Sequence, residues 1–547
     1  MATASTARMW APLRGGVGYV LRALAPPPPA PSSEGQPGSW PEGTLSQWLF
    51  LRGLGLSFLL AFASLWPQLL GLVGARGLLP AAPYLRAVSM QVGAERFYLL
   101  PTLFWLGASD NALQLVGTLG LLCALLLTLG LGEGLALCGA WLCYLSLVGV
   151  GRDFMSFQWD SLLLETALWS LPLVLHRPGL RPTLRPPVAV GRWLLTWLLL
   201  RFMFAAGWAK LASQDPVWRD LSALDYHFFT QPLPTPFAYY AHQLPSGLKK
   251  LATATMFIIE LAVPFLLLRR WIVRRWAALA LIGLQGLIAA TGNYGFFNFL
   301  SAVLVFPLLP DAWIRRLLPE RLWAYLQPQP DGSDLLLASD HPPPAPNQAR
   351  NRRGAQVAMA VRGLWFVLLV PLSLVQAALM FLPEERVPET ALRALEYSSA
   401  IHAVNRYGLF AVMTRERPEI VLEGSVDGVT WLPYEFKYKP GALDRRPRFS
   451  APHQPRLDWQ MWFAALRPYR RGGWLDALCI RLLQGSPDVR WLLDSERDPF
   501  FGRKPQQLRA TRYRYEFTTL AEKKATGAYY KRRDPEPYLG PVELPSK

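Results

Sequence analysis

The stretch Leu364-Trp-Phe-Val-Leu-Leu-Val-Pro-Leu-Ser-Leu-Val-Gln-Ala-Ala-Leu-Met-Phe-Leu382 contains no charged residue and is followed at once by Pro383-Glu-Glu-Arg386. At a rise of about 1.5 Å per residue, a run of this length crosses the hydrocarbon core of a bilayer. It is the last of its kind: from Pro383 to Lys547 the sequence is polar and basic. Working back towards the N-terminus, similar runs are read near 47–73, 111–131, 133–150, 159–176, 192–211, 252–269, 275–292 and 296–310, with the quoted one at 360–382. The eighth is short for a full crossing, which suggests a tilted, extended or re-entrant segment. The expected fold is therefore a mostly α-helical, multi-pass membrane bundle of about nine spans over 46–385, carrying a soluble α+β domain over 386–547. Residues 1–45 include the run Pro26 to Pro29 and Gly/Ser-rich sequence, and read as a disordered cytoplasmic tail without a signal-peptide pattern.

Composition supports a membrane protein. Hydrophobic residues make up 52% of the 547 positions, charged residues only 17%, and there are 22 Trp, which excludes an ordinary soluble enzyme. The net charge of +18 does not point to nucleic acid, because the Arg residues lie between apolar runs and not on one stripe. Of the four Cys, Cys123, Cys138 and Cys143 fall in apolar runs and Cys479 stands alone, so no disulfide framework is expected.

Orientation follows from where the short loops hold their cations. The loop with Arg269, Arg270, Arg274 and Arg275 is placed on the cytoplasmic side. Counting outward puts Arg177, Arg181 and Arg185, then Arg315, Arg316, Arg321, Arg350, Arg352 and Arg353, and also Arg8, Arg14 and Arg22, on that side too. Nine crossings then leave the N-terminus cytoplasmic and the C-terminal domain in an endoplasmic reticulum lumen or a bacterial periplasm.

Within that domain, Glu419 to Gly424, the turn Asp427-Gly428, and Thr430 to Tyr438 read as strand, tight turn, strand. After Pro455, Trp459, Trp462, Phe463 and Leu466 recur at helical spacing and give an amphipathic helix laid against the sheet. Trp474 to Leu483 and Asp488 to Asp494 carry helix signals, and Arg512 to Thr518 alternates like a strand.

The segment His453-Gln-Pro-Arg-Leu-Asp-Trp-Gln-Met-Trp-Phe-Ala-Ala-Leu466, with Tyr434-Glu-Phe and Lys439-Pro-Gly441, resembles the lipase maturation factor family. So do Gly77-Leu-Leu-Pro80, Phe157-Gln-Trp-Asp-Ser-Leu-Leu-Leu-Glu165, Trp218-Arg-Asp-Leu221, Thr230-Gln-Pro-Leu-Pro234 with Tyr239-Tyr240, and Asn405-Arg-Tyr-Gly408. The resemblance implies a multi-pass membrane protein whose non-cytoplasmic region engages newly translocated lipases and helps them reach an active, assembled form, without a cofactor. The absence of an Asn-x-Ser/Thr sequon, the Pro-Ser-Lys ending and the excess of Arg over Lys leave the compartment open between the endoplasmic reticulum membrane and a bacterial inner membrane. A fainter likeness joins Arg201-Phe-Met-Phe-Ala-Ala-Gly-Trp-Ala-Lys210-Leu to the vitamin K-dependent γ-carboxylase (HTTM) group, which implies Lys210 as a catalytic base. The simpler reading has Lys210 snorkel to the interface or pair with Glu165 or Asp220.

Five polar residues are expected at membrane depth: Asp160, Glu165, Lys210, Asp220 and Glu260. Either they line a pocket or they bond between helices with Arg201, Gln285, Asn293 or Asn298. For partner contact the candidates are His453, Arg456, Asp458, Trp459 and Trp462, because Trp and Arg dominate binding hot spots. His227 and His242 lack metal-ligand spacing, and no metal site, nucleophile triad or phosphate loop is read. A transporter is disfavoured because no inverted repeat with paired broken helices is evident.

Overall fold

The computed structural model describes residues 41–174, 184, 186–269, 271–326 and 346–544. The expected tail up to residue 40, with Arg8, Arg14 and Arg22, lies outside them, as do Arg177, Arg181, Arg185 and Arg270 and the side chains of Arg350, Arg352 and Arg353.

Among the described residues the membrane part is built from helical elements that run alternately between two ends. These are α1 (Thr44–Val73), α2 (Asp110–Leu129), α3 (Glu133–Gly151), α4 (Gln158–Val174) and α5 (Ala189–Ala212). Next come α6, which begins at Ser246–Phe257 and continues to Leu266, then α7 (Trp271–Thr291), α8 (Phe297–Val303) and α9 (Pro346–Ala378). Contacts fix the directions. Gly55 meets Thr128 and Gly120 meets Phe62, so α1 and α2 are antiparallel, and their glycines let the backbones approach closely. Gly191 meets Leu173, and Arg201 meets Glu165, which opposes α4 and α5. Trp365 Nε1 donates to the Leu168 carbonyl and Arg362 to that of Pro172, so α9 opposes α4.

Six of these helices are long and apolar enough to cross a bilayer unaided. The short eighth run is a broken element: Phe297–Leu308 and Asp311–Leu317 meet at a bend of 118°, and counted as one span they make seven. The other two expected spans exist as helices but are modified by their polar residues. α4 has 17 residues, Pro172 inside it and burial along nearly its whole length. α6 is interrupted by a π-helical turn, Ile258–Ala262, that contains Glu260. At one end of the bundle Asp311 accepts hydrogen bonds from the backbone amides of Gly43, Leu45 and Ser46, at 2.9, 3.0 and 2.9 Å, and so caps α1.

The C-terminal module sits on the opposite end. Its core is an antiparallel sheet in the order β2-β1-β3-β4, with β1 at Arg417–Ser425, β2 at Leu432–Pro433, β3 at Gln507–Phe517 and β4 at Tyr530–Glu543. The Asp427-Gly428 turn forms as expected: the Asp427 carboxylate accepts from the amides of Val429 and Thr430, and Gly428 takes a positive φ of 73°. The second strand is much shorter than the expected Thr430 to Tyr438, since the chain leaves the sheet after Pro433 and the Asp458 carboxylate caps the amides of Tyr438 and Lys439 instead. Helix α10, Arg456–Ala465, packs between β1 and the bundle, and α11, Trp474–Gln484, follows.

Candidate functional site: the joint between bundle and module

Three polar constellations fasten the module to the bundle, and all are built from residues on distant parts of the chain. In the first, α4 opens with Asp160 facing inward at the module end. The Arg456 guanidinium grips both oxygens of this carboxylate at 2.9 Å and also donates to the Phe154 carbonyl at 2.6 Å. Tyr144 of α3 donates to the same carboxylate at 2.5 Å. Asp160 and Arg456 are 0% and 1% exposed. A buried pair of this kind persists only where its remaining lone pairs and protons are also satisfied, and here the bidentate geometry and the tyrosine do much of that. Beside it, the Arg456 amide donates to Gln68, the Gln454 amide to Ser64, and Ser64 is bonded to His453 Nδ1 at 3.0 Å.

One turn further along α4, Glu165 is the hub of the second constellation. Arg201 of α5 is ion-paired with it, the Asn405 backbone and side-chain amides donate to it at 3.0 and 2.8 Å, and the Tyr407 hydroxyl donates at 2.6 Å. Arg201 also donates to the Asn405 carbonyl at 2.6 Å. The block Asn405-Arg-Tyr-Gly408 is therefore a latch that seats the start of the module on the bundle.

The third constellation holds the loop blocks. Arg417, buried at the start of β1, donates to the carbonyls of Phe229, Gln231 and Pro232 while paired with Glu419, which Lys439 also neutralises. Asn293, in the turn between α7 and α8, accepts from the amides of Ser450 and Ala451 and donates to the Arg448 carbonyl. Trp462 Nε1 donates to the Thr230 carbonyl at 2.8 Å, and the Trp459 ring meets Trp159 edge-on with centroids 4.8 Å apart.

These positions revise several expectations. Arg456, Asp458, Trp459 and Trp462 are buried and His453 is half-buried, all within or beside the joint, so partner contact through them would require the joint to open. The aromatic seam is apolar on the helix because it faces the bundle, a surface that sequence periodicity cannot tell from solvent-side partner binding. Asp220, expected beside the others, is instead exposed in a turn after α5, where its carboxylate accepts from the Ser222 amide. Lys210 pairs with neither Glu165 nor Asp220: its ammonium lies 2.7 Å from Glu260 on the π-helical turn and 5.6 Å from the Trp218 ring centre. Of the expected partners only Arg201 meets one of these acids, Glu165; Asp160 is paired with Arg456 of the module, Lys210 with Glu260, and Asn298 bonds Gln285 at 2.9 Å. Sequence reading missed Tyr144, Gln68 and Arg417, whose types and spacing carry no local signal. Among the described residues, no group of three His, Cys, Asp or Glu side chains is placed to hold a metal ion.

Two family profiles match the chain, one over most of the bundle and one over the module. Residues 45–316 match the lipase maturation factor transmembrane domain, and residues 403–540 match the lipase maturation factor C-terminal domain. The chain is 35% identical to lipase maturation factor 2 of Homo sapiens, an alignment that spans 91% of this chain and 83% of that protein. The chain belongs to the lipase maturation factor family. Another relative, lipase maturation factor 2 of Gallus gallus, is 36% identical over 89% of this chain and 79% of its own. Lipase maturation factor 1 of Homo sapiens is 32% identical, with 95% and 92% covered. No solved structure matches the chain.

Two predictions arise from the geometry of this family member. Because Lys210 is neutralised by Glu260, removing one partner leaves a buried charge alone, whereas removing both does not. Lys210→Met should lower the unfolding midpoint in detergent by more than the double variant Lys210→Met/Glu260→Leu does. The second concerns pH. Desolvation, followed by the nearby Lys437 and Arg456 charges, lowers the His453 pKa from 6.5 to about 4. His227 and His242 are likewise lowered to about 4, chiefly by burial. A histidine held neutral in the fold stabilises it fully above the unfolded pKa, and that contribution is lost as pH falls from about 6.5 towards 4, where the unfolded chain binds the extra proton. Thermal unfolding between pH 7.5 and 5, values chosen to bracket the unfolded pKa of roughly 6.5, should show falling stability, and His453→Gln should flatten the slope.

Proposed function

We propose that this protein is a membrane-bound maturation factor that holds its sheet module on the non-cytoplasmic face, where the module's outer surface engages newly translocated lipases or similar exported proteins and assists their folding and assembly. The observation that carries this reading is the attachment of the module, through buried polar contacts, to one end of an alternating bundle. An odd number of crossings puts the two ends of the chain on opposite faces, and cation placement assigns the module to the side that receives secreted proteins. The ionisable groups buried in the joint bond to one another and to backbone carbonyls, so this reading assigns partner contact to the exposed face of the module. The names of the relatives supply the client class. On this reading residues 46–385 anchor the protein and residues 386–547 do the work, in an endoplasmic reticulum membrane or its bacterial counterpart.

The test uses the full chain expressed in secretory cells that lack their own family members, with activity of a co-expressed secreted lipase as the readout. Recovery of specific activity several-fold above the empty vector, together with chemical cross-linking of lipase to the chain, is expected. Lipase that stays inactive while the chain is present at normal abundance would refute the reading.

A further inference from the structure

Between α1 and α2 the chain does not simply turn back. The helix Ala81–Val92 leaves the module end with few of its residues buried, and residues 96–106 then fold down along the outside of α3. Thr102 donates to the Ser146 carbonyl at 3.2 Å and the Leu103 amide donates to the Ser146 hydroxyl at 3.0 Å. Ser146 lies five residues inside the module end of α3, which closes at Gly151, so the segment descends roughly 7 Å below that end. Its side chains suit a lipid surface. Leu106 is 92% exposed, and Phe97, Tyr98 and Leu99 are also exposed. Arg96 folds back to Ser89 and the Gly93 carbonyl while covering the Phe97 and Trp105 rings at 4.5 and 5.3 Å. Exposed apolar side chains beside an arginine whose guanidinium folds back onto polar groups while its stem covers aromatic rings is an arrangement suited to an interfacial anchor.

We propose that residues 96–106 are a re-entrant hook embedded in the leaflet on the module's side, with the glycerol and upper acyl region of phospholipids as its ligand. Continuity identifies the occupant: the hook runs within four residues into α2, whose Leu115, Leu119, Leu122, Leu125 and Leu129 are exposed along the whole span. The exposed backbone within the hook is tolerated at this depth because part of it is satisfied: the Ser146 hydroxyl accepts from the Leu103 amide, and Trp105 Nε1 donates to the Leu100 carbonyl. The module contacts the start of the same α1–α2 connection, ahead of the helix Ala81–Val92, where Arg481 donates to the Gly77 carbonyl and Ser486 to that of Arg76. The hook thus anchors the α1–α2 connection in the leaflet on the module's side. It does so whichever compartment the module faces.

The test is site-directed spin labelling of the full chain, with its native cysteines replaced, in phosphatidylcholine nanodiscs. Leu106→Cys is labelled and compared with Leu122→Cys as the lipid-facing reference. The proposal expects the Leu106 label to collide with oxygen several-fold more often than with an aqueous nickel chelate, as the reference does. Free access of the chelate to Leu106 would overturn it. So would shielding that appears only when a lipase client is added, which would make the hook a protein-docking surface. Because the readout needs no client, its failure is distinct from failure of the maturation role.

Discussion

Replacing Arg456 by methionine is expected to cost about 3–5 kcal/mol, because it strands the Asp160 carboxylate in a site that is 0% exposed. The loss has two parts. The bidentate partner disappears, and the Phe154 carbonyl loses its donor. Tyr144 alone cannot compensate the charge, so the joint opens to water. In the open form the amide partners Gln68 and Ser64 are released together, and α10 loses its seat against the bundle. Limited proteolysis should then cut the exposed connection between α9 and β1, around residues 383–390, far faster than in the parent, and lipase maturation should fall with it. The double variant Arg456→Met/Asp160→Asn, in which no charge is stranded, should recover a large part of the stability.

Glu165→Gln is the second large effect. The carboxylate accepts from Arg201, from two Asn405 groups and from Tyr407, and an amide must turn a donor towards at least one of these donors. An unpaired Arg201 and an unsatisfied buried donor together predict a loss of about 3–5 kcal/mol. Differential scanning in detergent would show it as an early transition, since the Asn405 to Gly408 latch should release before the helices separate. Tyr407→Phe, which removes only one neutral donor, should cost about 1 kcal/mol. An equal effect of the two substitutions would show that Glu165 is not the hub.

The helices were legible because lipid imposes a minimum length of apolar sequence, and that constraint is written locally. Where the local rule met polar residues it blurred: Glu260 marks a π-helical turn and Pro172 a short, enclosed helix, neither visible as more than a weakened apolar run. The α10 periodicity announced a buried face without naming what buries it. Asp160 and Arg456 are 296 residues apart, and no pattern in either neighbourhood pairs them. Strand β4 went unread for a different reason: it is an edge strand, exposed over most of its length, with Pro535, Pro537 and Pro541 along it. Its surroundings demand no alternation, and proline suits an edge that must not recruit another strand.

Acceptor-site mapping decides whether the module occupies the non-cytoplasmic face. The native sequence contains no Asn-x-Ser/Thr sequon. Lys524→Asn places one, Asn-Ala-Thr, on the exposed helix Leu520–Thr526 of the module, and Ala4→Asn places Asn-Ser-Thr near the N-terminus. Expressed in a cell that glycosylates lumenal chains, the Lys524→Asn protein should gain a glycan removable by endoglycosidase and the Ala4→Asn protein should not. A glycan on the Ala4→Asn protein, with none on the Lys524→Asn protein, would contradict the account.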